Sequence, residues 1–349
     1  MARKLLWASL ALAPITFVVD LLFHPGDVVL FLLAAAALVP LAWLIGDATE
    51  QAAEHTGPGI GGFLNASFGN APELIIATLA IADSLPNVVR GSLAGSIVSN
   101  MLLVLGLAMA AGQSGRPINR NSLLLQVGLV ALAVLAFLPT SIAGWHGDPD
   151  RHSLVVLSTP VALGLLLVYL VVQTIQLRGF RADHAASGKE EREGVWSLRS
   201  ALIVLAIATG ATALISEILV HSLDGFAKAA GLSQFFISMV VVAVVGNAAE
   251  HGGAIVIARR DNLRLATEIA ISSSAQVALL VTPAVVLLSW AVSPPLPLTF
   301  RWEELGAMAL ATVVVTGVVY DGCSKRWQGW TLVGVYALLV VGFAFAGDR

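Results

Sequence analysis

Gly69-Asn70-Ala71-Pro72-Glu73 and, 177 positions further on, Gly246-Asn247-Ala248-Ala249-Glu250 are near copies of one pentapeptide, each set inside a long apolar run. An ionisable side chain at membrane depth costs at least about 2.5 kcal/mol on insertion scales, so it usually marks an ion or proton path. Two such segments in one chain point to a single site assembled from the two halves of a duplicated protein.

Around them, the 349-residue chain is 57% hydrophobic and 12% charged, with a mean hydropathy of +0.86. A soluble chain carries roughly 25% charged residues, so this is the composition of an integral membrane protein. Cys323 is the only cysteine, which excludes a disulfide within the chain and a thiolate metal cluster. A segment needs about 20 apolar residues to cross the hydrocarbon core. Eleven are read, at 5–23, 28–46, 58–82, 86–112, 120–143, 152–176, 198–220, 231–258, 264–290, 302–320 and 328–346. Strand alternation of the barrel kind is absent, so the predicted fold is all-α, an integral membrane bundle. The first segment is read as a membrane helix and not a cleaved signal, because no small-x-small site precedes Asp20.

Lysines and arginines orient the bundle. With the N-terminus in the cytoplasm, fourteen of the 19 basic residues fall on inside connections, among them Arg116, Arg178, Arg259, Arg260 and Lys325. The expected topology is therefore N-terminus cytoplasmic and C-terminus outside. The longest polar connection, 177–197, contains Lys189-Glu190-Glu191-Arg192-Glu193 and lies inside. It separates two sets of five segments, and because five is odd the second set starts from the opposite face. The expected organisation is an extra N-terminal helix at 1–25, a first five-helix repeat at 26–176, a cytoplasmic linker at 177–197 and a second, inverted five-helix repeat at 198–349.

The repeats agree beyond the pentapeptide. Ser96 and Asn100 follow the first copy, Ser272 and Gln276 the second, and a spacing of four puts each pair on one helix face. Pro72 removes a backbone donor and frees carbonyls near residue 68, while Gly69 and Gly246 permit kinks or close backbone approach. The donors thus assembled are all oxygens: the carboxylates of Glu73 and Glu250, the amides of Asn70, Asn247, Asn100 and Gln276, serine hydroxyls and freed carbonyls. Such a set suits Ca²⁺, with six to eight flexible oxygen ligands, better than Mg²⁺, which keeps its waters. Two carboxylates balance one divalent ion. Without it they repel and lose solvation, so protons take its place, and alternating access turns that competition into antiport.

His251 could be a ligand, a proton relay or a partner of a carboxylate, but adjacent helix residues do not share a face with each other. Asp47, Glu50, Glu54 and His55 are placed on the connection before the first motif, either as an acidic vestibule or as an ordinary solvated loop. The run at 189–193 could be a regulatory cation-sensing helix, but it is short and of mixed sign, so it reads better as an ordinary solvated helix.

At these residues the chain resembles the Ca²⁺/H⁺ antiporter (cation/proton exchanger) family of the Ca²⁺/cation antiporter superfamily. The matching text is Gly61-Gly-Phe-Leu-Asn-Ala-Ser-Phe-Gly-Asn-Ala-Pro-Glu-Leu-Ile, Gly95-Ser-Ile-Val-Ser-Asn-Met-Leu-Leu-Val-Leu-Gly106, Val244-Val-Gly-Asn-Ala-Ala-Glu-His251 and Ser272-Ser-Ser-Ala-Gln-Val-Ala-Leu279. The resemblance implies eleven helices, with one extra helix ahead of two inverted repeats and an acidic helix between them; the linker here is only weakly acidic, a departure that speaks against linker-based Ca²⁺ regulation. It also implies that Glu73 and Glu250 exchange Ca²⁺ for H⁺ and that Asn70, Asn247, Ser99, Asn100 and Gln276 line the same site.

The expected function is a secondary transporter that exchanges cytoplasmic Ca²⁺, or a similar divalent cation, for external protons. The site set is Glu73, Glu250, Asn70, Asn247, Ser99, Asn100 and Gln276, with Glu73, Glu250 and His251 handling protons. The rivals are a Na⁺(K⁺)/Ca²⁺ exchanger of the same fold and an intramembrane enzyme, the latter opposed by the lack of a His-Glu-x-x-His pattern or a nucleophile–base pair. No cofactor and no nucleic-acid partner are expected; the partners are Ca²⁺, protons and the bilayer. The short termini without a targeting segment suggest a prokaryotic inner membrane.

Overall fold

A computed structural model describes residues 2–184, 196–292 and 295–348. It is helical nearly throughout: α1 (Ala2–Ser9), α2 (Leu12–Phe23), α3 (Asp27–Gly69), α4 (Ala71–Ala82), α5 (Pro86–Ser99), α6 (Leu105–Ala111), α7 (Arg120–Gly144), α8 (His152–His184), α9 (Leu198–Ala230), α10 (Gln234–Phe236), α11 (Ala243–Gly246), α12 (Ala248–Arg259), α13 (Leu263–Gln276), α14 (Thr282–Leu288), α15 (Trp302–Val319) and α16 (Arg326–Ala346). Widened π turns join α5 to α6 (Asn100–Val104), α10 to α11 (Ile237–Val242) and α13 to α14 (Val277–Val281). The strands are β1 (Arg116–Pro117) and β2 (Cys323–Ser324), paired antiparallel.

Among the described residues nine helices are long and apolar enough to cross a membrane, ten if the bent pair around Asn247 is one span. The eleven expected spans differ from this at the first pentapeptide. The expected break near residue 50 is helical, so α3 absorbs the second span and the start of the third, and the remainder of the third is the 12-residue α4. Asp47, Glu50, Glu54 and His55 therefore sit on a helix, not a loop, and His55 Nε2 lies 2.6 Å from the Trp196 carbonyl. Residues 189–193 lie outside the described residues.

What interrupts both spans is the asparagine. Asn70 (φ −99°, ψ 14°) ends α3, and Asn247 (φ −93°, ψ 9°) ends α11 with a bend of 57° into the next helix. Both occupy the bridge region between helix and strand. Ala249 stands where Pro72 does, yet the second break has the same geometry, so proline is compatible with the break without being its cause.

The agreement continues outward. Every bound of α4, α5, the first π turn and α6 recurs 177 positions later in α12, α13, the third π turn and α14. So does the left-handed turn between the helices, at Ser84 (φ 60°) and Asp261 (φ 65°).

Small residues let these helices touch. A Cβ on Gly95 would stand 2.1 Å from the Met239 carbonyl oxygen, so α5 meets the Ile237–Val242 turn backbone to backbone. Gly106 of α6 and Gly329 of α16 cross in the same way. Leu135, Leu167, Ile207, Val313 and Leu338 form part of an exposed apolar surface suited to lipid. The non-helical stretch 296–300 is buried under α7 and α8, where side chains satisfy its backbone. Ser158 accepts from the Leu298 N–H (2.8 Å), Thr140 donates to the Leu298 carbonyl (2.6 Å), and Ser141 accepts from the Phe300 N–H (3.0 Å). Irregular backbone at membrane depth is stable only when protein encloses it in this way.

Candidate cation and proton site

The two broken spans cross, and each motif glycine faces the other motif's carboxylate. A Cβ on Gly69 would lie 3.8 Å from Glu250 Oε1, and one on Gly246 would lie 3.5 Å from Glu73 Cγ. Both carboxylates occupy the first turn of a half-helix, where the dipole favours negative charge. The preceding half-helices, α3 and α11, end at the same two breaks, where the Phe68 carbonyl accepts from the Asn70 N–H and the Ala243 carbonyl from both the N–H and Nδ2 of Asn247.

Neither asparagine caps its own helix, so both amides reach across the bundle. Asn70 Nδ2 donates to Gln276 Oε1 at 2.8 Å, and Asn247 Nδ2 donates to Ser96 Oγ at 2.8 Å. Asn100 Nδ2 donates to Asn247 Oδ1 (3.1 Å) and to Ser273 Oγ (2.9 Å), and Ser273 Oγ donates to Glu250 Oε2. The nitrogen of Asn100 being committed twice, its Oδ1 accepts from His251 Nε2 at 2.9 Å, which fixes the proton on that ring nitrogen. Interhelical bonds of this kind average about 0.6 kcal/mol each in membranes. The network is thus worth only a few kcal/mol, and its larger effect is to hold oxygens in place.

Glu73 stands apart. It is 7% exposed, and its Oε2 is buried with no hydrogen-bond partner among the described residues. A buried carboxylate oxygen left unsatisfied is costly, and a cation or proton is what would satisfy it. Among the described residues no three His, Cys, Asp or Glu side chains converge as a metal site. A cation held here would take two carboxylates and neutral oxygens, a donor set that suits a hard ion which must also leave.

Of the seven residues expected at the site, Glu73, Glu250, Asn70, Asn247, Asn100 and Gln276 come together through these contacts. Ser99 is buried, and its hydroxyl donates within its own helix to the Ser96 carbonyl at 3.2 Å. His251 joins the network through Asn100.

Ser273 was missed, and the pairing of Ser272 with Ser96 is corrected by one position. The helix bounds align Ser96 with Ser273 and Ser99 with Gln276, while Ser272 Oγ bonds the Ile269 carbonyl. The available signal was the constant offset of 177 between the motifs, which already pairs Ser96 with Ser273.

Broken helices that cross at two carboxylates, Glu73 buried and Glu250 half-buried, define a membrane ion transporter, not an intramembrane enzyme. The chain matches the family described as "Sodium/calcium exchanger protein" over residues 27–178 and 200–345, and it belongs to that family. It is 36% identical to the Ca²⁺/H⁺ antiporter ChaA of Bacillus subtilis, over 93% of this chain and 95% of that one. It is 33% identical to a Ca²⁺/H⁺ antiporter of Synechocystis, covering 98% and 97% of the two chains. The solved Ca²⁺/H⁺ antiporter protein YfkE superposes with a TM-score of 0.84 at 33% identity, covering 98% of this chain and 99% of that one.

Proposed function

We propose that this protein is a Ca²⁺/H⁺ antiporter in which Glu73 and Glu250 hold either one Ca²⁺ or protons, and that alternating access exchanges the two. The observation that carries the reading is the crossed contact of each motif glycine with the opposite carboxylate, beside the unpartnered Glu73 Oε2. The naming of two relatives that match over nearly their whole length as Ca²⁺/H⁺ antiporters supports the ion pair.

The recurrence of element bounds at one offset supports two repeats of one ancestral unit. With the charge bias of the connections it supports their inversion, an extra first helix, and eleven membrane segments if α4 and the end of α3 count as one broken span. In this reading the repeats are 26–176 and 198–349, the N-terminus is cytoplasmic and the C-terminus outside. Ca²⁺ leaves the cytoplasm of a prokaryotic cell as protons enter. Asn70, Asn247, Asn100 and Gln276 line and position the site, with Ser99 behind them, and His251 orients Asn100 and passes protons.

Purified protein in liposomes with an imposed proton gradient should take up ⁴⁵Ca²⁺ without Na⁺ or K⁺. Uptake that survives collapse of the gradient but needs Na⁺ would replace this reading with Na⁺/Ca²⁺ exchange, the alternative that the family's description favours.

A further inference from the structure

A second polar feature lies beside the site. Between α7, α8 and α13 is a half-open cavity of about 50 Å³ lined by Gln126, Tyr169, Gln173, Ser272 and Gln276, together with Leu129 and Leu279. Water occupies about 30 Å³ in the liquid, so the space suits one or two molecules. Gln173 Nε2 donates to the Tyr169 hydroxyl at 2.8 Å. Gln126 is 7% exposed; its Nε2 bonds Ser122 Oγ at 3.2 Å while its Oε1 is buried without a partner. Turning the amide over exchanges the two atoms and still leaves one unsatisfied, so the orphan does not depend on how the amide is assigned. A buried amide in this state calls for a water.

The lining selects what can pass. Among the described residues it holds no carboxylate and no cation, and Tyr169 is its one titratable group. A divalent ion needs six to eight oxygens, and stripping its waters among neutral groups in so small a space goes uncompensated. Protons move along a short chain of waters at no such cost. The cavity ends at Gln276, which is one hydrogen bond from Asn70 at the head of the helix that carries Glu73. Gln126 lies six residues from Arg120 at the start of α7, whereas Ser272 and Gln276 lie in the last two turns of α13, so the pocket reaches from the first turns of α7 to the middle of the span Leu263–Leu288.

We infer that this cavity is a water site through which protons, but not the divalent cation, pass between the carboxylate pair and the cytoplasmic face. This rests on the antiport reading above and adds to it separate routes for the two ions. The test is ⁴⁵Ca²⁺ uptake by proteoliposomes containing the full chain, with the pH varied on each side. Gln126→Leu removes the unpartnered amide from the cavity wall and should slow maximal exchange about tenfold. KM for Ca²⁺ should stay within about twofold, and the dependence on cytoplasmic-side pH should flatten. Tyr169→Phe, which removes one oxygen without changing shape, should show the same pattern more weakly, and it keeps the test open if the leucine variant fails to insert. Variants with wild-type rate and pH dependence, or with KM raised as much as the rate is lowered, would overturn the inference. A wild-type protein without proton-driven uptake would overturn the antiport reading instead.

Discussion

At the scale of single residues, the site separates ion-holding groups from groups that position them. Asn100 and Asn247 spend their hydrogen bonds on each other and on Ser96, Ser273, His251 and the Ala243 carbonyl, whereas Glu73 Oε2 has no partner among the described residues. Ser273 is the link between the amides and Glu250. Ser273→Ala should therefore leave the fold intact and raise the KM for Ca²⁺ about tenfold, or roughly 1.4 kcal/mol, the loss of one hydrogen bond to a charged group. Concentration dependence of ⁴⁵Ca²⁺ uptake checks it. The carboxylates were legible because nothing but function explains an acid repeated in apolar sequence. Ser273 was not, because Ser272, Ser273 and Ser274 point in three directions around a helix, and only the helix bounds say which one faces Asn100. Gln126, Tyr169 and Gln173 were illegible for a related reason: they are scattered along two apolar segments far apart in sequence, and only packing brings them to one cavity.

At the scale of elements, the two breaks do the building. Each divides a span so that a helix N-terminus and a C-terminus meet at mid-bundle, and the side chain at the break is freed to cross to the other repeat. Hydropathy cannot reveal such a break, since the apolar run passes through it without change, and the helical stretch before it was likewise hidden by charged Glu50 and Glu54. Because Asn247 breaks its helix without a following proline, Pro72→Ala should keep at least half of the wild-type exchange rate. Asn70→Leu should lose nearly all of it, the side chain no longer reaching Gln276. A proline variant as inactive as the asparagine variant would show that Pro72 makes the first break. Close approach gives a second expectation: Gly95→Val puts a branched side chain onto the Met239 carbonyl and should cost about 3 kcal/mol or more. It would be read as a lowered thermal midpoint in detergent, with Gly128→Ala, which meets open space, as the neutral comparison.

At the scale of the whole molecule, the crossed repeats make one site that two kinds of ion compete for. The duplicated plan was legible from the pentapeptides and the charge bias, whereas the number of separate helices was not, because α3 runs on through the expected connection. Competition fixes a sign. Lowering pH loads the carboxylates with protons and weakens Ca²⁺ binding, and raising pH strengthens it. If both carboxylates exchange together, apparent affinity changes by up to about 100-fold per pH unit where they titrate. The most direct measurement is proton release when Ca²⁺ is added to the purified protein in weakly buffered detergent solution at a pH where the two compete. The wild type should release about two protons per ion bound, and Glu73→Gln and Glu250→Gln should each abolish both binding and release while remaining folded. Stoichiometric Ca²⁺ binding without proton release, or full binding in either variant, would contradict a shared site.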